Sequence, residues 1–271
     1  MFNTNSKQMA IRKGNFMVGT VGKTNFRNRK GKQVIQSNPG KGNVRQTSGT
    51  KSAAGIFGKS SSLAADFRWS LSSIIGKNYD GDMVSRLTGV VRPIIEHAYD
   101  RENSTFKFSK NDFQRLAGFD FNNKSPIQNN LWIMPETSLE DNLLTITIPK
   151  LESNSNLIFP AHTNLCHIIF HVSIYRLEEG LRSPRPEVEK IEVRIDQGTT
   201  ANQQFVFPVP EGCLCIAGIG LDYYSADGEM AVAAKNLTFN PAAICCVYVN
   251  KGKFTAADTH KWTFNEKAVF K

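Results

Sequence analysis

Residues 19–24, Gly-Thr-Val-Gly-Lys-Thr, have the composition of a loop that would cradle the phosphates of a nucleotide. The phosphate-loop motif requires a further glycine at position 17, which is occupied by Met17. Such a loop also follows a buried strand and opens a helix, whereas the turn residues Lys30 and Gly31 come shortly after it. The pattern therefore argues against nucleotide hydrolysis.

Two histidines and a cysteine pair are the other residue types that could carry chemistry. His167 and His171 lie in an alternating apolar run typical of a strand, where residues four apart are separated by about 13 Å, too far to share one zinc ion. Cys213 and Cys215 would share a strand face, but no second pair has metal-ligand spacing. No Gly-x-Ser-x-Gly motif is present, and the paired carboxylates fall in turns or on polar strand faces. We expect no catalytic residue, no metal, no cofactor and no small-molecule substrate, and hence no enzyme.

The five cysteines bear on the cellular compartment. Their number is odd and each lies in an apolar run, which favours buried free thiols over a disulfide framework. No apolar stretch approaches the roughly 18 residues of a membrane span, and the first residues lack the apolar core of a signal peptide. We expect a cytoplasmic protein, or one in a particle assembled in the cytoplasm.

The positive charge is concentrated at the N-terminus. Of 33 Lys and Arg and 24 Asp and Glu, residues 1–60 hold twelve cations and no acid, which leaves 21 basic and 24 acidic residues in the rest, a net charge of −3. Such asymmetry predicts an arm that meets a polyanion or a neighbouring subunit. The candidate contact residues are Lys7, Arg12, Lys13, Lys23, Arg27, Arg29, Lys30, Lys32, Lys41 and Arg45.

Residues 1–48 form a basic, glycine-rich arm in this interpretation. A turn at Lys30-Gly31 between two short apolar segments predicts a β-hairpin. An isolated hairpin is marginally stable in water, so this one must pack on something else. The residues expected to provide the packing are Phe16, Val18, Val21, Val34 and Ile35.

The remainder of the chain predicts a helical pair followed by a β-rich body. Apolar residues recur at helical spacing over residues 53–74 and again over residues 83–98, where Pro93 should kink the helix or mark a boundary. Residues 49–100 are therefore assigned to the helical pair and residues 101–271 to an antiparallel β-sandwich. The predicted strands cover residues 130–134, 143–148, 165–175, 188–195, 204–209, 214–223, 230–234, 244–249 and 262–264.

The N-terminal motifs resemble a family. Residues 19–25 and 30–39 are similar to the opening signature of a Bacteroidota family known only as a domain of unknown function, which reads Gly-Lys-x-Gly-Asn and then Lys-Gly-x-x-Val-x-Arg-Ser-x-Pro. Here Asn25 stands one place early, Thr24 replaces a glycine, and Gln36 replaces the arginine.

The resemblance extends towards the C-terminus. Residues 212–233 resemble the closing strands of that family and their Ser-x-Asp-Gly turn, and residues 167–175 resemble its central strand. The likeness covers residues 14–235 and is continuous only at its two ends. It implies no activity, because none is assigned to the family.

A mainly β body with a basic arm predicts a non-enzymatic structural or assembly protein, a subunit of a larger particle or filament such as a phage-like virion or a surface assembly. Its partners would be copies of itself or other structural subunits. The alternative is a nucleic-acid-binding protein whose arm contacts the phosphates of DNA or RNA. Apart from Phe2 at the start of the chain, Phe16 and Phe26 are the only aromatic residues of the arm available for base stacking, which favours contacts with the backbone.

Overall fold

A computed structural model describes residues 9–38, 46–76, 79–109, 111–184, 187–228, 230–234, 239–255 and 261–271. The chain divides into two compact units, residues 1–53 and residues 54–271, which we call the arm and the body. The predicted mainly β, antiparallel fold is confirmed. Within the described residues, none of the helices is both long and apolar enough to cross a membrane.

The elements follow one another in this order. The helices are α1 (Ser48–Ser70), α2 (Ser72–Ile75), α3 (Met83–Ala98) and α4 (Ser153–Asn156), with short 3-10 turns at Asp112–Leu116, Ile127–Asn129 and Glu266–Ala268. The strands are β1 (Ala10–Lys13), β2 (Phe16–Val21), β3 (Thr24–Arg29), β4 (Lys32–Ser37), β5 (Tyr99–Asp100), β6 (Thr105–Phe106), β7 (Glu136–Glu140), β8 (Leu143–Ile148), β9 (Leu151–Glu152), β10 (Leu165–Arg176), β11 (Leu181–Arg182), β12 (Glu187–Arg194), β13 (Thr199–Thr200), β14 (Gln203–Pro208), β15 (Leu214–Asp227), β16 (Met230–Ala233), β17 (Ala242–Val249) and β18 (Thr263–Phe264).

The arm contains a four-stranded antiparallel sheet, β1-β2-β3-β4, which we call the arm sheet. The predicted hairpin is present as β3–β4, and β1–β2 forms a second one. Lys30 and Gly31 both have positive φ, of 51° and 75°, as the two central residues of a type I′ turn require. The side chain of Asn28 accepts a hydrogen bond from Gly31 N at 3.1 Å and closes this turn.

The body is organised around a seven-stranded sheet whose centre is the pair β10–β15. These two long strands pair antiparallel from Leu165 opposite Tyr224 to Tyr175 opposite Leu214. On the other side of β10 lie β12 and β11, with β18 beyond β11, and on the other side of β15 lie β17 and β16. Among the described residues, β12 has no strand on its outer edge.

One face of this sheet packs against the three-stranded sheet β14-β8-β7. The alternation in β10 points Ile168, Phe170 and Val172 into the shared core, where they meet Ile146 and Phe207 from the smaller sheet. The buried fractions confirm the prediction that Ile168, Phe170, Val172 and Ile174 are core residues. The cysteines are free thiols, and all but the half-buried Cys245 are buried, as expected.

The other face of the sheet is covered by the helices. Phe67 of α1 packs edge-on against Tyr175, with ring centroids 5.0 Å apart. Gly218 of β15 allows α2 to approach, because a Cβ there would come within 2.3 Å of Ile74 Cδ1. Pro93 lies inside α3, which continues through it to Ala98, so it does not mark a boundary.

Two local predictions were wrong. Residues 130–134 do not form a strand; Asn130 instead donates a side-chain hydrogen bond to Pro126 O at 2.7 Å, and only Leu131 makes an isolated bridge, with Leu157. Local side-chain to backbone bonding of this kind competes with a strand ladder. Strand β7 (Glu136–Glu140) is not predicted from the sequence, because the glutamates at its two ends give it the composition of a loop.

Candidate interaction surface of the arm

Seven of the ten predicted contact residues lie in the described arm, and the fold places them all at its surface. Lys7, Lys41 and Arg45 fall outside the described residues. The other seven are exposed: Arg12, Lys13, Lys23, Arg27, Arg29, Lys30 and Lys32.

The meander of the strands gathers most of these cations at one end of the arm sheet. Because successive strands run in opposite directions, the β1–β2 and β3–β4 turns lie at the same end, and the β2–β3 turn, which carries Lys23, lies at the other. We call the end with the two turns the cationic end. It comprises Arg12, Lys13, Arg27, Arg29, Lys30 and Lys32.

The two hairpins separate towards the cationic end. Between β2 and β3 only residues 19–21 and 24–26 are paired, so residues 16–18 and 27–29 lack strand pairing with each other. The side chain of Gln33 bridges this gap, since its Oε1 accepts from Met17 N at 2.8 Å and its Nε2 donates to Met17 O at 3.0 Å. The tips therefore present two sets of cations, two residues on β1–β2 and four on β3–β4.

The strand register sorts the side chains of the arm sheet onto two faces. Directly paired residues share a face, and the face alternates along each strand. Of the predicted packing residues, Phe16, Val18 and Val34 lie on one face, together with Lys13, Arg27, Arg29 and Lys32. Val21 and Ile35 lie on the other, with Met17, Phe26 and one cation, Arg12, which pairs directly with Met17. We call the four apolar residues of this side the apolar face.

No described residue of the arm sheet is buried. On the apolar face, Ile35 is 62% exposed, Val21 49% and Met17 43%. A sheet is ordinarily stabilised by covering one apolar face with another element. The described part of the arm sheet therefore has no buried core of its own, and its apolar face is exposed.

The body offers an acidic edge. The free strand β12 carries three glutamates and two cations; Glu192 pairs with Arg194 at 3.3 Å, which leaves Glu187 and Glu189 as its exposed acidic groups, next to Lys190. Burial, followed by the neighbouring charge of Glu189, raises the pKa of the Glu187 carboxyl. Acidic groups that repel one another in this way favour a cationic partner.

The body also holds a Ser–His pair that sequence reasoning did not find, because 98 residues separate its members. Ser73 Oγ lies 2.5 Å from His171 Nδ1. Burial lowers the pKa of His171 to about 4, and within the part of the chain that the structure describes its Nε2 has no hydrogen-bond partner. Without a carboxylate to stabilise an imidazolium ion, this pair lacks the third group of a hydrolytic triad. Its geometry fits a hydrogen bond that fixes α2 on the sheet.

A second cluster of polar side chains surrounds His167 near the N-terminal end of β10. Its Nε2 lies 3.7 Å from Glu192 Oε2, and Asp222 is its directly paired neighbour on β15. Burial raises the pKa of Asp222 and lowers that of His167. Within the described part of the chain, however, no three His, Cys, Asp or Glu side chains converge as metal ligands.

No protein-family profile matches the chain, and a search of curated proteins finds no significant match. The resemblance of the N-terminal motifs to the Bacteroidota family stays a prediction. Any functional conclusion therefore rests on the geometry of the surface itself.

Proposed function

We propose that this protein is a non-enzymatic subunit of a larger particle or filament, in which the arm sheet clasps a neighbouring copy of the chain. The supporting observation is the apolar face: four apolar side chains on a sheet that has no buried residue of its own. Covering a face of this kind with a second subunit removes its apolar area from water, and each Å² contributes about 25 cal/mol. A small sheet gains much of its stability in this way.

Charge supports another copy of the chain as the partner. The first 60 residues carry twelve cations and no acid, whereas the rest has a net charge of −3. The free edge of β12 is the acceptor we propose, through Glu187 and Glu189, because Glu192 is already paired with Arg194. Strand addition at such an edge supplies main-chain hydrogen bonds, and complementary charge sets its orientation.

Light scattering of the full-length protein tests this proposal. At low salt we expect oligomers, and Ile35→Asp, which places a charge on the apolar face, should shift the mass towards the monomer. The matched control is Val206→Asp on β14 of the body, where the side chain is similarly exposed at 51%, and the mass should stay unchanged.

A charge reversal at the acceptor sharpens the test. Glu189→Lys should weaken association, and the loss should shrink as salt is raised, because surface charges are screened over about 8–10 Å at physiological ionic strength. Wild-type protein that stays monomeric at high concentration and low salt would refute the proposal.

A further inference from the structure

We propose that the cationic end of the arm sheet is a second binding site, one that holds the phosphate backbone of duplex nucleic acid. This site goes beyond the subunit contact proposed above, and most of its cations lie on the face opposite the apolar face. The two surfaces of one sheet would thus serve two partners.

The arrangement of charges carries the inference. On the β3–β4 hairpin, Arg29 lies directly opposite Lys32, and Lys30 occupies the turn between them. Like charges directly across a strand pair have Cβ atoms about 4.5–5.5 Å apart and destabilise the sheet. No acidic residue occurs in the first 60 residues to offset this repulsion locally. A bound polyanion would offset it.

The separated hairpin tips give the site its shape. Arg12 and Lys13 project from one tip, and Arg27 and Arg29 from the other, across the gap that Gln33 bridges. Within β3, Arg27 and Arg29 are spaced by about 6.8 Å along one face. Cations on two separate supports can contact several phosphates of one duplex at the same time.

At the cationic end, nucleic acid fits better than an acidic protein does, whereas the subunit contact proposed above rests on the apolar face. The centre of a protein interface is depleted in charged residues, whereas protein–DNA interfaces are polar and strongly positive. Phe16 is the only aromatic residue on the face that carries Lys13, Arg27, Arg29 and Lys32, and it is half-buried. Single strands are held by stacking on several aromatic rings, so the duplex backbone is the better match. Backbone contacts predict binding without sequence preference.

The test is the salt dependence of binding by the full-length protein to a fluorescent DNA duplex. Arg12 lies on the apolar side, so five cations are left for the duplex: Lys30 in the turn, and Lys13, Arg27, Arg29 and Lys32 on the opposite face. If all five contact phosphates, the slope of log K against log salt approaches about −4.5, since each contact contributes about −0.9. The double variant Arg29→Gln/Lys32→Gln should lower the magnitude of the slope by about 2 and reduce affinity about a hundredfold near 50 mM salt. Duplexes of different sequence should bind equally.

The matched control removes the same charge elsewhere in the arm. Lys23 lies at the other end of the sheet and Lys51 in α1, and both are exposed. Lys23→Gln/Lys51→Gln should change affinity less than about threefold if the cationic end is the site. Equal losses in the two double variants would overturn the proposal in favour of diffuse attraction by net charge.

Two further probes separate the partners. Polyglutamate represents an acidic protein surface, and a single strand of equal length represents stacking. Equal or tighter binding of either one than of the duplex would overturn the assignment to a duplex backbone. Ile35 lies on the face opposite Lys13, Arg27, Arg29 and Lys32, so the uncharged variant Ile35→Asn, which also disturbs the apolar face, should leave the salt slope for DNA unchanged. Failure of the subunit contact and failure of the nucleic-acid site are thus distinguishable.

Discussion

The arm sheet and the central sheet of the body are both antiparallel, but they differ in the interactions that stabilise them. The strand pair β10–β15 is covered on both faces, by β14-β8-β7 on one side and by the helices on the other. In the arm sheet no described side chain is buried, and short turns and main-chain pairing define the strands. The central sheet is a scaffold whose residues pack against one another, whereas the exposed residues of the arm sheet are free to carry charge.

The largest expected effect tests the packed side of this comparison. Phe170 is fully buried between the two sheets of the body, with the ring of Phe205 5.8 Å away. Phe170→Ala removes the ring and leaves a cavity, so we expect the free energy of unfolding to fall by about 3–5 kcal/mol. Urea denaturation measures this. A midpoint equal to that of the wild type would show that the core assignment is wrong.

The pH dependence of stability tests the buried histidine of the same sheet. Burial lowers the pKa of His171 to about 4 in the folded protein, below the ordinary value of 6.5 for a histidine in water. Between these two values the unfolded chain binds the extra proton more readily, so stability decreases as the pH falls from about 6.5 towards 4. At about 1.4 kcal/mol per pKa unit, the loss amounts to about 3 kcal/mol.

A pair of histidine variants isolates that contribution. His171→Gln should reduce the loss of stability between pH 7 and pH 4.5, measured by thermal unfolding. His97→Gln is the control, because the side chain of His97 on α3 is 82% exposed. If both variants keep the wild-type pH profile, another group accounts for the acid sensitivity.

The two regions also differ in how far the sequence predicted them. The alternation of Ile168, Phe170 and Val172 identified the core strand, because a buried strand face leaves a period of two in its apolar residues. The turn at Lys30-Gly31 was predicted for a similarly local reason, since few residues adopt two successive positive φ angles.

Features that depend on contacts between distant parts of the chain could not be predicted from the sequence. The contact between Ser73 and His171 needs α2 to lie on the sheet, and that depends on the packing of Ile74 against Gly218. The gathering of Lys13 and Arg29 at one end of the arm sheet required four strands, whereas composition indicated a single hairpin. Charge content was predicted from the sequence, and its placement came from topology.

The smallest expected effect is a difference in amide protection between the arm sheet and the body, which hydrogen exchange at the backbone amides measures. Amides in elements with few buried contacts exchange through local openings of low free energy, whereas those of a core strand require global unfolding. In dilute protein we therefore expect the amides of β1–β4 to exchange faster than those in the centre of β10.

The concentration dependence of exchange tests the subunit contact. If a neighbouring subunit covers the apolar face, raising the protein concentration should slow exchange around Phe26 and Ile35. The centre of β10 is the internal reference, and its rates should not change with concentration. Arm amides as strongly protected as those of β10 in a dilute monomer would mean that the arm sheet is stable by itself, and the contrast between the two sheets would fail.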